Sequence, residues 1–245
     1  MCATCIADLM EAKRAIIFDL FHTLTALEST LGDNRPLTHV MLGLSKEAWD
    51  EQLHARSRER LIGARKDAHE IVREMARAIN PQISDEVVLR ATENRIAQFA
   101  AALRQIPSQT QHVLRTLRLS GKRVGLISNA DVMEVAAWSE CPIRADFDAT
   151  VFSCHVGCVK PEAEIYHRCL RDLAVDAEDT IFVGDGGSNE LEGARAVGMT
   201  TVLVTGIISE IWPDRIPARR VHADFEIESV CELLPPTEET PKLQA

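Results

Sequence analysis

The chain has 245 residues, 46% of them apolar and 26% charged, with a formal charge of −10 and a pI near 5.3. That length can bury a sizeable core, whereas the negative balance argues against nonspecific binding to nucleic acid or to anionic membrane, both of which attract basic surfaces. No apolar stretch reaches the roughly 18 residues of a membrane span, so a small-molecule or protein partner is the expectation.

The opening "MCATCIADLM" has no basic n-region and carries Asp8, which predicts a soluble, cytoplasmic protein. Cys2 and Cys5 form a C-x-x-C, but no second pair at zinc-finger spacing follows. The seven cysteines, at 2, 5, 141, 154, 158, 169 and 231, read as reduced thiols rather than a metal or disulfide framework. Next comes "RAIIFDL" (14–20), a β-rich apolar run that delivers Asp19 and is followed by Phe21 and His22. Three helical patterns occupy the next hundred residues: 45–63, 67–80 and 84–106. The middle one places Ala68, Ile71, Val72, Met75 and Ile79 on one face. Pro81 ends it, and Ser84 can cap the third. Arg56 and Arg60, one turn apart, read either as a solvated basic face or as a clamp for an anionic substrate.

Four further apolar runs follow: "KRVGLIS" (122–128), "ATVFSC" (149–154), "TIFVGD" (180–185) and "TTVLVT" (200–205). "LISNA" places Ser128 and Asn129 at the expected start of a helix, where free N–H groups favour an anion. Lys160 precedes Pro161, which suits a first helical position. Asp185 sits in "GDGG", a sequence for a tight turn, with Asn189 and Glu190 on the next helix. The tail "PPTEETPKLQA" (235–245) reads as disordered.

Continuous apolar strands alternating with helices predict an α/β fold with a parallel, Rossmann-like sheet covered on both faces. Ligands of such sheets sit at the carboxyl ends of the strands, where Asp19, Ser128 and Asp185 fall. The expected division is a core of residues 1–25 and 108–234 with an all-helical cap of residues 26–107 inserted over the site.

Asp19 at a strand end, Ser128 in "LISNA", Lys160 in "VGCVKPEAEIY" and Asp185 in "FVGDGGSNELEGARAVGM" together resemble, in order and spacing, the four motifs of the haloacid dehalogenase superfamily with a helical cap after the first motif. The resemblance covers roughly residues 14–205. It implies a hydrolase in which Asp19 is the nucleophile, attacking phosphorus or an sp³ carbon and forming a covalent intermediate. It further implies that Ser128, with the Asn129 amide, holds a substrate phosphate or carboxylate oxygen, and that Lys160 neutralises charge beside the nucleophile. In the phosphatases of the family Mg²⁺ is held by the equivalents of Asp19, the Phe21 backbone carbonyl, Asp185 and an acid at Glu190. The family pattern has Asp where Glu190 stands, so contact through water or through Asn189 is the alternative there.

Oxygen donors suit Mg²⁺. Three carboxylates and Lys160 leave the bare site at −2, which one Mg²⁺ brings to zero before a phosphate dianion binds. Phe21 points elsewhere. A ring cannot protonate a leaving alkoxide, and the family's dehalogenases carry an aromatic residue there because halide needs no proton to depart. His22, at a position commonly Gly, is a possible proton donor at neutral pH or a bystander turned away. The acidic fourth motif favours Mg²⁺-dependent hydrolysis of a small phosphorylated anion. A 2-haloacid dehalogenase and a non-catalytic, ligand- or partner-binding relative are the alternatives.

Overall fold

The computed structural model describes residues 3–27 and 34–235. The Cys2–Cys5 motif and the tail beyond residue 235 lie outside its described side chains. Six strands, β1 (Ala15–Phe18), β2 (Arg123–Ser128), β3 (Ala149–Phe152), β4 (Thr180–Gly184), β5 (Thr200–Val204) and β6 (Phe225–Ile227), form one sheet in the order β3-β2-β1-β4-β5-β6. Every pairing is parallel. The expected parallel α/β sheet is present. It gains a sixth strand, whose three residues carry Glu226 on an edge and therefore lack the continuous apolar run that marks its neighbours.

Helices account for the rest: α1 (Ala3–Ala12), α2 (Thr38–Met41), α3 (Lys46–Ala55), α4 (Ser57–Leu61), α5 (Ala68–Ile79), α6 (Asp85–Arg104), α7 (Ser108–Leu119), α8 (Ser153–Val156), α9 (Ala163–Leu173), α10 (Glu190–Ala196), α11 (Gly206–Ile211) and α12 (Ile216–Arg220). Among the described residues no helix is long and apolar enough to cross a membrane.

The sheet is buried on both faces. Ile16 and Phe18 pack with Leu9 of α1, Leu114 of α7 and Val183, while Ile17 faces Tyr166 and Cys169 of α9 and Phe182. This alternation explains why the strand sequences are apolar throughout. Register then places the chemistry: Phe18 pairs with Leu126 on one side and Val183 on the other, so β1, β2 and β4 end together. The Asp19 N–H continues the ladder by donating to the Val183 carbonyl at 2.9 Å. Asp19 and Asp185 thus lie at adjacent strand ends.

Helices α2 to α6 lie between β1 and β2 and build a separate apolar cluster around Trp49, Ile71, Val72, Met75 and Val88, which also takes in Met133 from the loop after β2. Helix α6 belongs to two cores, because its later residues Ala100 and Leu103 pack with the sheet's cluster. Ser84 caps α6 and Asp67 caps α5 through their side chains, the local chemistry expected of those residue types.

Three local expectations change. The pattern over 45–63 breaks at Arg56, whose backbone leaves the helical region (φ −109°, ψ 14°), into α3 and α4, and Arg60 of the second is buried. No regular helix follows Ser128: residues 132–137 form turns ahead of a short 3₁₀ segment, although Asp131 Oδ1 accepts from the N–H groups of Met133 (2.8 Å) and Glu134 (3.0 Å) as an N-cap would. Pro161 precedes α9 rather than opening it, as Glu162 is the N-cap.

Arg60 is neither a solvated residue nor a substrate clamp. It is 6% exposed and its guanidinium reaches Asp131 Oδ2 at 2.6 Å and Glu134 Oε1 at 3.5 Å, with Arg95 of α6 at 3.3 Å from the same Glu134 oxygen. Arg56 instead pairs with Glu74 at 3.6 Å. Two arginines of the helical segment therefore meet two acids of the loop after β2. Removing one partner of such a buried cluster strands the others' charge, which costs about 3–5 kcal/mol. Arg60→Met should accordingly lower the unfolding free energy from urea titration by that order. Arg58→Ala, which breaks the exposed Arg58–Glu162 pair, should leave it nearly unchanged.

Candidate active site

The loop that follows β1 is tight. The Leu24 and Thr25 N–H groups both donate to the Leu20 carbonyl, and His22 adopts a left-handed backbone with φ +66°. A glycine would take that conformation without strain, and a histidine holds it at some cost. Thr23 Oγ1 donates to Asp19 Oδ2 at 3.1 Å, and Thr25 Oγ1 anchors the loop to the Ala102 carbonyl of α6. Asp19 is 6% exposed, and its orientation is set from both sides.

Lys160 supplies the second constraint. Its ammonium, 3% exposed, lies 2.5 Å from Asp19 Oδ1 and 2.5 Å from Glu190 Oε2, and donates to the Ile127 carbonyl at 3.2 Å. All three of its donors are used. Asn129 fixes the backbone of the same residue: its Nδ2 donates to the Lys160 carbonyl at 2.9 Å and its Oδ1 accepts from the Lys160 N–H at 2.8 Å. The amide expected to meet substrate therefore grips the main chain that carries the lysine. Ser128, 1% exposed at the end of β2, lines the same cavity as Asp19 and Lys160.

The turn after β4 places the remaining acids. Asp185 Oδ1 accepts from the Gly187 N–H at 2.8 Å, and Glu190 Oε1 accepts from the Gly186 N–H at 2.9 Å. Glu190, 1% exposed at the first position of α10, is the residue that turns inward, while Asn189 is exposed. Gly184 makes room for the longer acid: a Cβ there would stand 2.2 Å from Glu190 Oε1.

These groups perturb one another. Burial raises the Asp19 carboxyl, an effect opposed by Lys160 and reinforced by Asp185. Burial, then the charge of Asp19, raises Glu190 well above its ordinary range against the pull of Lys160. Lys160 would be lowered by burial, but Asp19 and Glu190 outweigh that and raise it. The ammonium therefore stays charged, and it stabilises the carboxylates that flank it.

Asp19, Asp185 and Glu190 each place a carboxylate oxygen within 4.8 Å of the others. Three anionic oxygen donors at that spacing fit a hard divalent cation such as Mg²⁺. The sequence alone missed a second internal cation. Arg219 of α12 donates to Asp185 Oδ2 at 2.5 Å and to the Asp185 carbonyl at 2.9 Å. Three acids against Lys160 and Arg219 leave the bare site at −1, not −2. "ARRVHAD" gave no sign of this, because α12 reaches the site through the fold and follows no spacing rule.

The cavity over these groups measures about 310 Å³. The rings of Phe21, Phe99 and Trp212 also line it, together with His22 and Glu134. Phe21 meets Phe99 of α6 edge-on at 5.4 Å between centroids, and His22 meets Trp212 edge-on at 4.6 Å. One part of the cavity is thus ionic and another aromatic.

A family model described as "haloacid dehalogenase-like hydrolase" matches residues 13–198. Glyceraldehyde 3-phosphate phosphatase of Methanopyrus kandleri is 25% identical over 90% of this chain and 95% of its own length. Bifunctional epoxide hydrolase 2 of Rattus norvegicus is 32% identical over 48% of this chain, a match spanning only 22% of that relative. Among solved structures, one described as a dehalogenase superposes with a TM-score of 0.63 over 91% of this chain and 96% of that one, at 19% identity. At that identity it speaks for the fold alone.

The Gly184–Glu190 contact can be checked directly. Gly184→Ala should lower the melting temperature, overpacking of this kind costing about 1–3 kcal/mol. In a Glu190→Asp background the shorter carboxylate withdraws, so the same substitution should cost less. Additive losses in the double-mutant cycle would contradict the steric account.

Proposed function

Because the chain belongs to the haloacid dehalogenase-like hydrolases, we propose that it is a Mg²⁺-dependent phosphohydrolase in which the Asp19 carboxylate attacks the phosphorus of a small anionic phosphate ester. The observation that carries this reading is the crowding of Asp19, Asp185 and Glu190 in one buried place. Carboxylates so close repel one another; Lys160 and Arg219 offset two of the three formal charges, and a divalent cation would supply the remainder together with the charge needed to receive an anionic substrate. The phosphatase name of a relative that aligns over 90% of the chain supports the same class of substrate.

Asp19, Asp185, Glu190 and the Phe21 backbone carbonyl would hold the Mg²⁺. Bound there, it would offset the anionic charge of substrate and carboxylates. The chain's own groups do the rest. Asp19 Oδ2, steadied by Thr23, forms the new bond to phosphorus as the bond to the leaving oxygen breaks, giving an aspartyl phosphate and a free alcohol or its anion. Lys160 holds Asp19 Oδ1 and opposes the effect of burial on its carboxyl. The Ser128 hydroxyl donates to a phosphate oxygen, and Asn129 acts by holding Lys160 in place. Water then attacks the aspartyl phosphate at phosphorus, releasing inorganic phosphate and regenerating Asp19. Helices α2 to α6 serve as a cap, contributing Phe99 to the cavity.

Phe21 sets the leaving group. With a ring where an acid would stand, the departing oxygen leaves as an anion unless His22 supplies a proton, so aryl and acyl phosphates should turn over much faster than alkyl phosphates. The same ring, packed on Phe99 inside the cavity, favours the second reading, a carbon–halogen hydrolase, since halide leaves unaided.

A screen of aryl phosphates, alkyl phosphates and 2-haloacids, each with Mg²⁺ and with chelator, separates the readings. Phosphate release should require Mg²⁺ and vanish in Asp19→Asn; full-rate halide release by chelated enzyme would replace this proposal with the dehalogenase. In a Phe21→Asp variant shown by its melting transition to fold, alkyl phosphate hydrolysis should rise by up to roughly 10²- to 10⁴-fold, the usual contribution of a general acid. If it does not rise, His22→Ala in the parent chain should abolish alkyl turnover.

A further inference from the structure

We propose that Arg219 is a built-in competitor for the metal at Asp185, so that its guanidinium sets how weakly the acidic centre takes a divalent cation. The inference rests on the metal reading above and goes beyond it, since it concerns a residue outside the family motifs.

Arg219 is held where such a competitor must be. Its guanidinium takes Asp185 Oδ2 and the carbonyl of the same residue, and the side chain is 12% exposed. Because Gly187 already donates to Oδ1, both Asp185 carboxylate oxygens are engaged within the chain. The arrangement is built, not incidental. The stem of Arg219 passes over Gly186, whose φ is +79° and where a Cβ would lie 2.9 Å from Arg219 Cβ and 3.1 Å from its Cγ. Only a glycine allows both that backbone and that approach. On its other side the guanidinium lies 5.5 Å from the centre of the Trp212 ring, which in turn meets His22.

The consequence is electrostatic. A divalent cation and a guanidinium sharing one carboxylate repel each other over a few ångströms, and partial burial limits the screening that water would give. The metal must therefore displace the guanidinium from Oδ2 or bind against its charge. Lys160 differs in this respect: it bridges Asp19 and Glu190 and does not touch Asp185.

Titration calorimetry of Mg²⁺ into the full chain tests this with three substitutions. Arg219→Gln and Arg219→Met remove the charge and should tighten Mg²⁺ binding by about fivefold or more, the lower range of site–site coupling. Arg219→Lys keeps the charge and should stay closer to the parent affinity than either. A tightening below about fivefold in the folded neutral variants, or a lysine variant as tight as they are, overturns the proposal while leaving the metal reading intact. No Mg²⁺ binding by any of the four proteins overturns both. Should the neutral variants fail to fold, the parent protein decides: the assigned ¹⁵N–¹H signal of the Arg219 guanidinium should shift as Mg²⁺ saturates the site, and an unmoved signal overturns the proposal.

Discussion

The ammonium of Lys160, buried between Asp19 and Glu190, is the interaction on which the rest of the site depends. Two carboxylates and one ammonium out of water are costly unless every donor and acceptor is met. Here the third Lys160 donor goes to the Ile127 carbonyl, and the second oxygens of Asp19 and Glu190 go to Thr23 and Gly186. Asn129 secures the lysine's main chain, and Gly184 leaves the space into which Glu190 folds. The sheet makes these meetings possible, since its register ends β1, β2 and β4 together and delivers Asp19, Ser128 and Asp185 to one edge.

The site divides into an ionic part that suits phosphoryl transfer and an aromatic part that suits a leaving group needing no proton. These are compatible demands. In the proposed mechanism the Asp19 carboxylate, held by Lys160, would work on any electrophile whose leaving group departs readily, and Phe21, packed on Phe99, would determine which those are. The cluster of Arg60, Arg95, Asp131 and Glu134 adds a further constraint: it ties α4 and α6 to the loop after β2, and Glu134 also lines the cavity. Movement of the helical segment would have to separate buried opposite charges, which makes its position part of the site's electrostatics.

Much of this was legible in the sequence because it depends on local pattern. Continuous apolar runs located five of the six strands, and each of Asp19, Ser128 and Asp185 lies at or just beyond a strand end. Ser84 announced its cap. Other features escaped because they depend on long-range closure. Residues 219 and 185 meet only because α12 folds back past Gly186, and Arg60 resembles a surface arginine until Asp131 is brought to it. Asn129 looked like a substrate donor because its partner, the backbone of Lys160, is 31 residues away in sequence. The short β6 lacks an apolar run for the same kind of reason: its pairing with β5 defines it, not its composition.

The account stands or falls on a bond between Asp19 and phosphorus. The direct measurement is a single turnover of an aryl phosphate with Mg²⁺, quenched in acid during the burst and mapped by peptide mass spectrometry. The account predicts a phosphoryl group on Asp19 that forms in step with release of the phenol and decays as inorganic phosphate appears. A turnover that proceeds with Asp19 unmodified throughout, or with the phosphoryl group on another residue, would contradict it.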